Sequence, residues 1–326
     1  MAQKIRFGIV GTNFISDWFV EAAKESGAAE VLAVCSRTEQ SAQAFAQKHA
    51  LALAFCDYEE FLRSEQIDAV YVATPNCTHK EYTLRALCAG KHVLCEKPAA
   101  LSVSDLEEVE KCAKANGKLF LEAMRPYFDP ILEQVRAQLP RLGALRYARL
   151  EFCQYSSRYD RFKAGEILRA FDPSYGNAAV LDIGIYPLSV AAMLFGMPES
   201  VQSNSLFLCN GFEGMGTATL FYKDMLAQVV YSKITQSQTP SVLVGENGTL
   251  TIDAMSKPAD VFFISNDGKT EKMPCTPAKN NMIYEVKAFC DAIQSEKTEH
   301  ESMQWTRIAT ALAQTVLQQN GICFNN

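Results

Sequence analysis

The sequence predicts two architectures in tandem. Residues 1–122 form an α/β domain on a doubly wound parallel sheet, and residues 123–326 an α+β domain with a largely antiparallel open sheet. Three observations predict this. Through the first stretch, apolar runs rich in Val, Ile and Leu alternate with segments that open on helix-capping residues, the rhythm of βαβ units. One such run, His92-Val93-Leu94-Cys95, breaks off in Glu96-Lys97-Pro98, so a strand buried on both faces delivers charge to the C-terminal edge of its sheet. Beyond Pro126 the rhythm gives way to β-formers joined by short turns.

Taken in order, Ile5–Val10 is the first strand, and Gly11-Thr12-Asn13-Phe14-Ile15-Ser16 turns it into a helix reaching about Ser26. A helix N-terminus behind such a turn attracts anions, because its first N–H groups lack partners and its dipole is positive there. Laid on G-x-G-x-x-G, only Gly11 matches; Asn13 and Ser16 stand for the other glycines, Asn as a residue that tolerates positive φ and Ser as a small one. An ordinary strand–turn–helix fits the same residues. Val31–Cys35 is the next strand, followed by Ser36 and Arg37 where a NAD site usually carries an acid. Arg37 therefore points to a 2′-phosphate, hence NADP over NAD, or else is simply a solvated helix-start residue.

Asp57-Tyr58-Glu59-Glu60 opens a helix, and Ala69–Ala73 is a strand ending in Thr74-Pro75-Asn76. Thr78-His79-Lys80-Glu81 has the capping-box pattern, which puts Asn76 and His79 toward the same crevice as Lys97. A His in a first helical turn also serves as a cap or a surface residue. Ser104-Asp105-Leu106-Glu107 reads as a second capping box, and Lys118–Ala123 as the sixth strand, which completes a doubly wound domain.

In the second half, Ile131–Leu139 is a short helix. The strand candidates are Leu145–Phe152, Val201–Leu208, Gly216–Tyr222, Ala227–Ile234, Ser241–Val244, Thr249–Ile252 and Val261–Ile264. Glu246-Asn247-Gly248 is a hairpin turn, and helices near Met282–Ser295 and Ser302–Gln318 close the chain. One sheet face should lie on helices and the other carry Phe207, Tyr222 and Tyr231, either as core or as a face that pairs subunits. Within Ala178–Pro187, Asp182 is costly to bury unless paired. Tyr186 follows four residues on, beside a Pro that suits a first helical turn. A cap at Asp182 and a core Tyr186 are the plain alternative.

Composition excludes several classes. A net charge of −6 argues against general nucleic-acid or anionic-membrane binding. Eleven Cys without a C-x-x-C pair fit reduced thiols better than a disulfide framework. The four His are too dispersed for a local zinc signature. Met1–Val10 runs into a strand without a signal-peptide core, and no apolar run reaches membrane-spanning length, so the chain is expected to be cytoplasmic.

Together, Gly8-Ile9-Val10-Gly11-Thr12, Ala73-Thr74-Pro75-Asn76 with His79, Ala89–Pro98 and Leu181-Asp182-Ile183-Gly184-Ile185-Tyr186 resemble the Gfo/Idh/MocA oxidoreductase family, over nearly the whole chain. The Tyr at 186, where many members carry His, is similar to the branch with dimeric dihydrodiol dehydrogenase and glucose–fructose oxidoreductase. The resemblance implies a Rossmann coenzyme domain and hydride transfer between NADP or NAD and a sugar, inositol or diol carbon. It implies Lys97, Asp182 and Tyr186 as the catalytic group, and Gly11, Thr12, Asn13, Phe14 and Ile15 as the pyrophosphate loop. Ser36 and Arg37 fall at the ribose; Thr74, Pro75, Asn76, His79, Glu96 and Lys97 fall on the nicotinamide side. A homodimer or higher homo-oligomer through the C-terminal sheet is implied as well. The departures are Asn177-Ala178 for a glycine pair, Asn13 for a glycine, and Arg125-Pro126-Tyr127 after the sixth strand. A phenol titrates at about 10 in water, so Tyr186 needs a neighbouring ammonium to exchange protons near neutrality. Two rivals share the scaffold: a non-enzymatic coenzyme-binding regulator, and a glycosidase-like enzyme that retains NAD.

Overall fold

The computed structural model describes residues 3–324. By chain contacts the molecule divides into one unit of Met1–Arg125 with Ala278–Met303 and a second of Pro126–Pro277 with Gln304–Asn326.

The first unit runs β1 (Ile5–Val10), α1 (Phe14–Ser26), β2 (Ala29–Cys35), α2 (Glu39–His49), β3 (Leu53–Phe55), α3 (Tyr58–Arg63), β4 (Ala69–Val72), α4 (His79–Cys88), β5 (His92–Glu96), α5 (Val103–Ala115) and β6 (Phe120–Ala123). Its six strands lie in the order β3-β2-β1-β4-β5-β6 and all pair in parallel. The order reverses between β1 and β4, which opens a crevice at their carboxyl ends. Every residue of β4 is buried, as expected of a strand between helical layers.

Two of the expected caps fall elsewhere. Thr78 makes no capping bond; its hydroxyl donates to the Pro75 carbonyl at 2.8 Å, because a 3₁₀ turn at Asn76–Thr78 precedes α4. The cap of α5 is Ser102, not Ser104, and its oxygen accepts from the Asp105 N–H at 3.1 Å.

His92, at the start of β5, accepts the Leu119 N–H on Nδ1 at 3.0 Å, which ties the strand to the entry of β6 and requires a neutral ring. Burial, seconded by the charge of Lys118 and opposed by Asp68, pulls the imidazole down to about 4. Between the ordinary His value near 6.5 and this one, the unfolded chain binds the extra proton, so stability falls as pH drops through that window. Urea unfolding at pH 7 and pH 4.5 should show the wild type losing about 1–2 kcal/mol more than His92→Gln, after allowance for solvent screening. Equal losses would remove His92 from the acid response.

The second unit contributes α6 (Pro130–Gln138), β7 (Leu145–Cys153), α7 (Tyr159–Lys163), α8 (Ile185–Phe195), β8 (Ser200–Phe207), β9 (Glu213–Phe221), β10 (Leu226–Ser232), β11 (Ser241–Gly245), β12 (Gly248–Ile252), β13 (Val261–Ser265) and β14 (Thr270–Lys272). Its eight strands lie in the order β14-β13-β12-β11-β7-β10-β9-β8, antiparallel except for the parallel pair β7 and β10. Helix α8 packs on β7 and β10, and residues Ile185–Met193 are buried on every side.

The expected composition of the open face needs correction. Tyr231 is fully buried on the helix side, its hydroxyl donating to Glu213 at 2.7 Å. The partner position is Gly216, where a Cβ would lie 2.2 Å from that hydroxyl. Tyr222 packs edge-on against Phe195 and donates to the Gly196 carbonyl at 3.2 Å. Only Phe207 is exposed. Period-2 counting failed because the count began at the wrong face.

Helices α9 (Met282–Gln294) and α10 (Ser302–Gln319) close the chain. α9 returns to the first unit, with Phe289 against Phe7 at 5.6 Å and Asn280 donating to the Trp18 carbonyl at 2.9 Å. Among the described residues no helix is long and apolar enough to cross a membrane.

Candidate active site

The first unit assembles a nucleotide-shaped edge. Gly11 has φ 104°, and a Cβ there would lie 2.2 Å from the Ala73 carbonyl oxygen. Only a glycine lets β1 turn so close to the end of β4. Asn13 does not use the positive φ that its place in the motif suggested. Its backbone is extended at φ −90° and it caps α1, accepting from Ile15 N–H at 2.9 Å and donating to the Ala73 carbonyl at 2.8 Å. Buried Ser16 donates to the Gly11 carbonyl at 2.9 Å. The two departures from glycine therefore brace the loop at the exposed N-terminus of α1. Thr12 and Ser36 meet through their hydroxyls at 3.3 Å, joining the ends of β1 and β2. Phe14 and Arg37 are exposed and Ile15 half-buried. Loop, helix end and exposed arginine fit a dinucleotide phosphate chain.

Across the order reversal, Thr74, Pro75, Asn76 and Lys97 are half-buried. His79 is 1% exposed, with Nδ1 2.8 Å from the Pro98 carbonyl and Nε2 2.8 Å from the Thr74 carbonyl. It bolts the two loops together from below instead of facing the crevice. Burial, aided by Lys97, holds the ring below its ordinary proton affinity against the pull of both carbonyls. The Lys97–Pro98 peptide is cis, and the Ala99 N–H donates to buried Glu122 at 2.9 Å.

Glu96 lies under Lys97. It accepts from the Tyr71 hydroxyl and, at 3.2 Å, from the Lys97 N–H. Tyr71 is in turn stacked on Phe19 at 3.7 Å. Burial raises the Glu96 carboxyl, against Tyr71, Lys97 and Arg125. Glu285 of α9 is fully buried, neither carboxyl oxygen hydrogen-bonded among the described residues, and burial together with Glu96 pushes its carboxyl well above the usual carboxylate range, against Arg125. An acid in an amphipathic helix reads as a solvent-facing residue, so nothing in the sequence announced Glu285.

The second unit holds the other predicted group. Val180–Gly184 forms a π-turn that runs straight into α8, so Asp182 and Tyr186 lie four residues apart on one continuous helix, and Asp182 is no cap. Pro187 lacks the N–H that an α-turn would use, and the π-turn just before it accommodates that loss. Buried Glu213 anchors the start, accepting the Val180 N–H at 2.8 Å. Tyr186 is buried edge-on against Phe152, with ring centres 5.4 Å apart. The Asp182 carboxylate pairs with Lys233 at 2.8 Å. That an acid in this apolar stretch would be paired was legible in the sequence; that Asp182 stays part-exposed and its partner Lys233 is the buried member was not, because a lysine following a strand normally faces water.

A doubly wound unit with a glycine loop on a helix N-terminus, followed by a unit built on an open mixed sheet, is the architecture of two-domain nicotinamide-dependent oxidoreductases. The chain belongs to the Gfo/Idh/MocA oxidoreductase family. Residues 5–124 match the profile "Oxidoreductase family, NAD-binding Rossmann fold", and residues 137–251 match the GFO/IDH/MocA C-terminal domain. It is 39% identical over 322 residues to scyllo-inositol 2-dehydrogenase (NADP(+)) IolU of Bacillus subtilis, covering 98% of each chain. It is 34% identical over 205 residues to mouse trans-1,2-dihydrobenzene-1,2-diol dehydrogenase, covering 61% of this chain and 59% of that one. The structure of KijD10, a 3-ketoreductase from Actinomadura kijaniata with NADP and TDP-benzene, superposes with a TM-score of 0.84 at 25% identity over 98% of each chain. This chain is thus an oxidoreductase of the dehydrogenase type with a nicotinamide coenzyme.

Proposed function

We propose that this protein is an NADP-dependent dehydrogenase or reductase acting on a secondary alcohol of a cyclic polyol or sugar-like substrate, with Lys97, Asp182 and Tyr186 as its catalytic group. The observation that carries this reading is Asp182 within a π-turn and Tyr186 one helical turn further on, the first paired with buried Lys233 and the second packed edge-on against Phe152. The likeness to an NADP-dependent scyllo-inositol dehydrogenase over 98% of both chains supports it.

When bound, the nicotinamide accepts or returns the hydride. Tyr186 takes the proton from the reacting hydroxyl, or gives it back in the reverse direction. The ammonium of Lys97 polarises the substrate oxygen and favours the anionic partner in that exchange. Asp182 accepts a hydrogen bond from a neighbouring hydroxyl, which is why a vicinal polyol suits the site. Gly11 to Ile15 hold the pyrophosphate and Ser36 with Arg37 the ribose end, while Thr74, Pro75 and Asn76 shape the nicotinamide side and His79 and Glu96 support it. The free state of all eleven cysteines suits a reducing, cytoplasmic setting. Part-exposed Tyr147, Val230, Val242 and Phe262 on the open sheet face suit self-association, which a monomer in sedimentation would exclude.

Inositols, aldoses and cyclic diols, each assayed with NADP+ and NAD+, test the reading. Net growth of the reduced-nicotinamide absorbance with a cyclic polyol supports it. Substrate cleavage without net reduction would instead mark a coenzyme-retaining glycosidase, and binding without turnover a regulator. Because Arg37 is exposed and forms no ion pair among the described residues, Arg37→Ala should raise KM for NADP+ about 10- to 100-fold, the worth of a charge-assisted bond, with little change for NAD+. Equal changes for both coenzymes would take Arg37 away from the 2′-phosphate.

A further inference from the structure

Lys233 immediately follows β10 and is 4% exposed. Its backbone is fixed on both sides, its N–H donating to Gly214 and its carbonyl accepting from Ser156, each at 2.9 Å. The ammonium meets the Asp182 carboxylate at 2.8 Å and donates to the Ala170 carbonyl at 2.7 Å. The rings of Phe171 and Phe212 lie 5.0 and 5.1 Å from it, and both are fully buried with Phe162 beside them. This is a built environment. An ammonium withdrawn from water persists only with an anion, further acceptors or aromatic faces around it, and all three are present. The Asp182 side chain, by contrast, keeps 40% of its surface exposed. One carboxylate oxygen is committed inward to Lys233 while the group as a whole stays part-exposed.

We propose that Lys233 is a positioning residue of the reaction: it fixes the orientation and the charge of Asp182, so that this carboxylate meets the substrate as a standing hydrogen-bond acceptor and not as a proton donor. The proposal rests on the assignment of Asp182 to the substrate site. Lys233 itself touches no reactant; its effect passes entirely through Asp182. Leu226–Ser232 alternates as a strand, and the next residue turns its long side chain under the π-turn that carries Asp182.

The test compares Lys233→Met, Asp182→Asn and the double variant, using NADP+ and the best polyol of the panel above. Methionine keeps the volume among the rings and removes the charge. Lys233→Met should lower kcat roughly 10- to 100-fold, the usual cost of a misplaced group, while NADPH titration gives an unchanged Kd. In the Asp182→Asn background the same change should add less than about twofold, because residues that act as a unit are not additive. Lys233→Arg should recover part of the loss. A near-wild-type Lys233→Met beside a crippled Asp182→Asn overturns this inference alone. A near-wild-type Asp182→Asn overturns the site assignment beneath it. Should Lys233→Met fail to fold once the pair is broken, the double variant, which leaves neither charge without its partner, decides by itself. A rate well below that of Asp182→Asn shows Lys233 acting elsewhere, and an equal rate supports the proposal.

Discussion

Tyr186→Phe lowers kcat by about 10²- to 10⁴-fold while NADPH still binds, since the substitution deletes one hydroxyl and leaves the ring in place. The ring keeps its burial and its contact with Phe152, so the variant should still fold. Lys97→Met should cost turnover by a similar factor, because the chemistry divides between the group that moves the proton and the charge that stabilises the oxygen. The two losses should not add. Once the proton path is gone, the ammonium has little left to stabilise in the transition state. Stopped-flow measurement of the hydride step, with coenzyme binding followed by fluorescence, separates chemistry from affinity. Full turnover in either variant would refute the assignment.

Gly11→Ala has the second large effect, on coenzyme binding and on the fold together. The position combines a φ of 104° with a Cβ that would lie 2.2 Å from the Ala73 carbonyl oxygen, and a backbone atom cannot move aside as a side chain can. Left-handed strain of about 1–3 kcal/mol adds to displacement of the loop. The variant should lose about 2–4 kcal/mol of stability and bind NADPH at least about 10²-fold more weakly, because the loop that faces the phosphates must shift. Gly27→Ala is the matched control. It has φ 70° at the end of α1, and an added methyl would meet nothing within 4 Å, so it should cost only about 1 kcal/mol and leave binding intact. Calorimetric titration of both variants checks the contrast; similar affinities would mean that the close approach to Ala73 does not shape the coenzyme loop.

Much of this was written in the order of residues. Apolar runs such as Ala69–Val72 and His92–Glu96 are buried on nearly every residue, and a strand between two helical layers can be little else. The turn at Glu246-Asn247-Gly248, the end of α1 at Ser26 and the strand that breaks off in Glu96-Lys97-Pro98 are local events, set by φ preferences and by which residues can be buried. The same locality made Asn13 ambiguous. A residue that tolerates positive φ is also a good cap, and which property is used depends on the Ala73 carbonyl, sixty positions away in the chain.

From the sequence alone came the doubly wound unit, the open sheet and the residue types able to move a hydride's accompanying proton, because periodicity, capping and turn chemistry act over a few residues. Only tertiary structure decided which face Tyr231 occupies, why His79 bolts loops, that α9 brings the buried acid Glu285 back to the first unit, and that Lys233 is the cation under Asp182. Those outcomes depend on desolvation and pairing between residues far apart in sequence. A charged side chain reads the same on paper whether it ends in water or among phenylalanines.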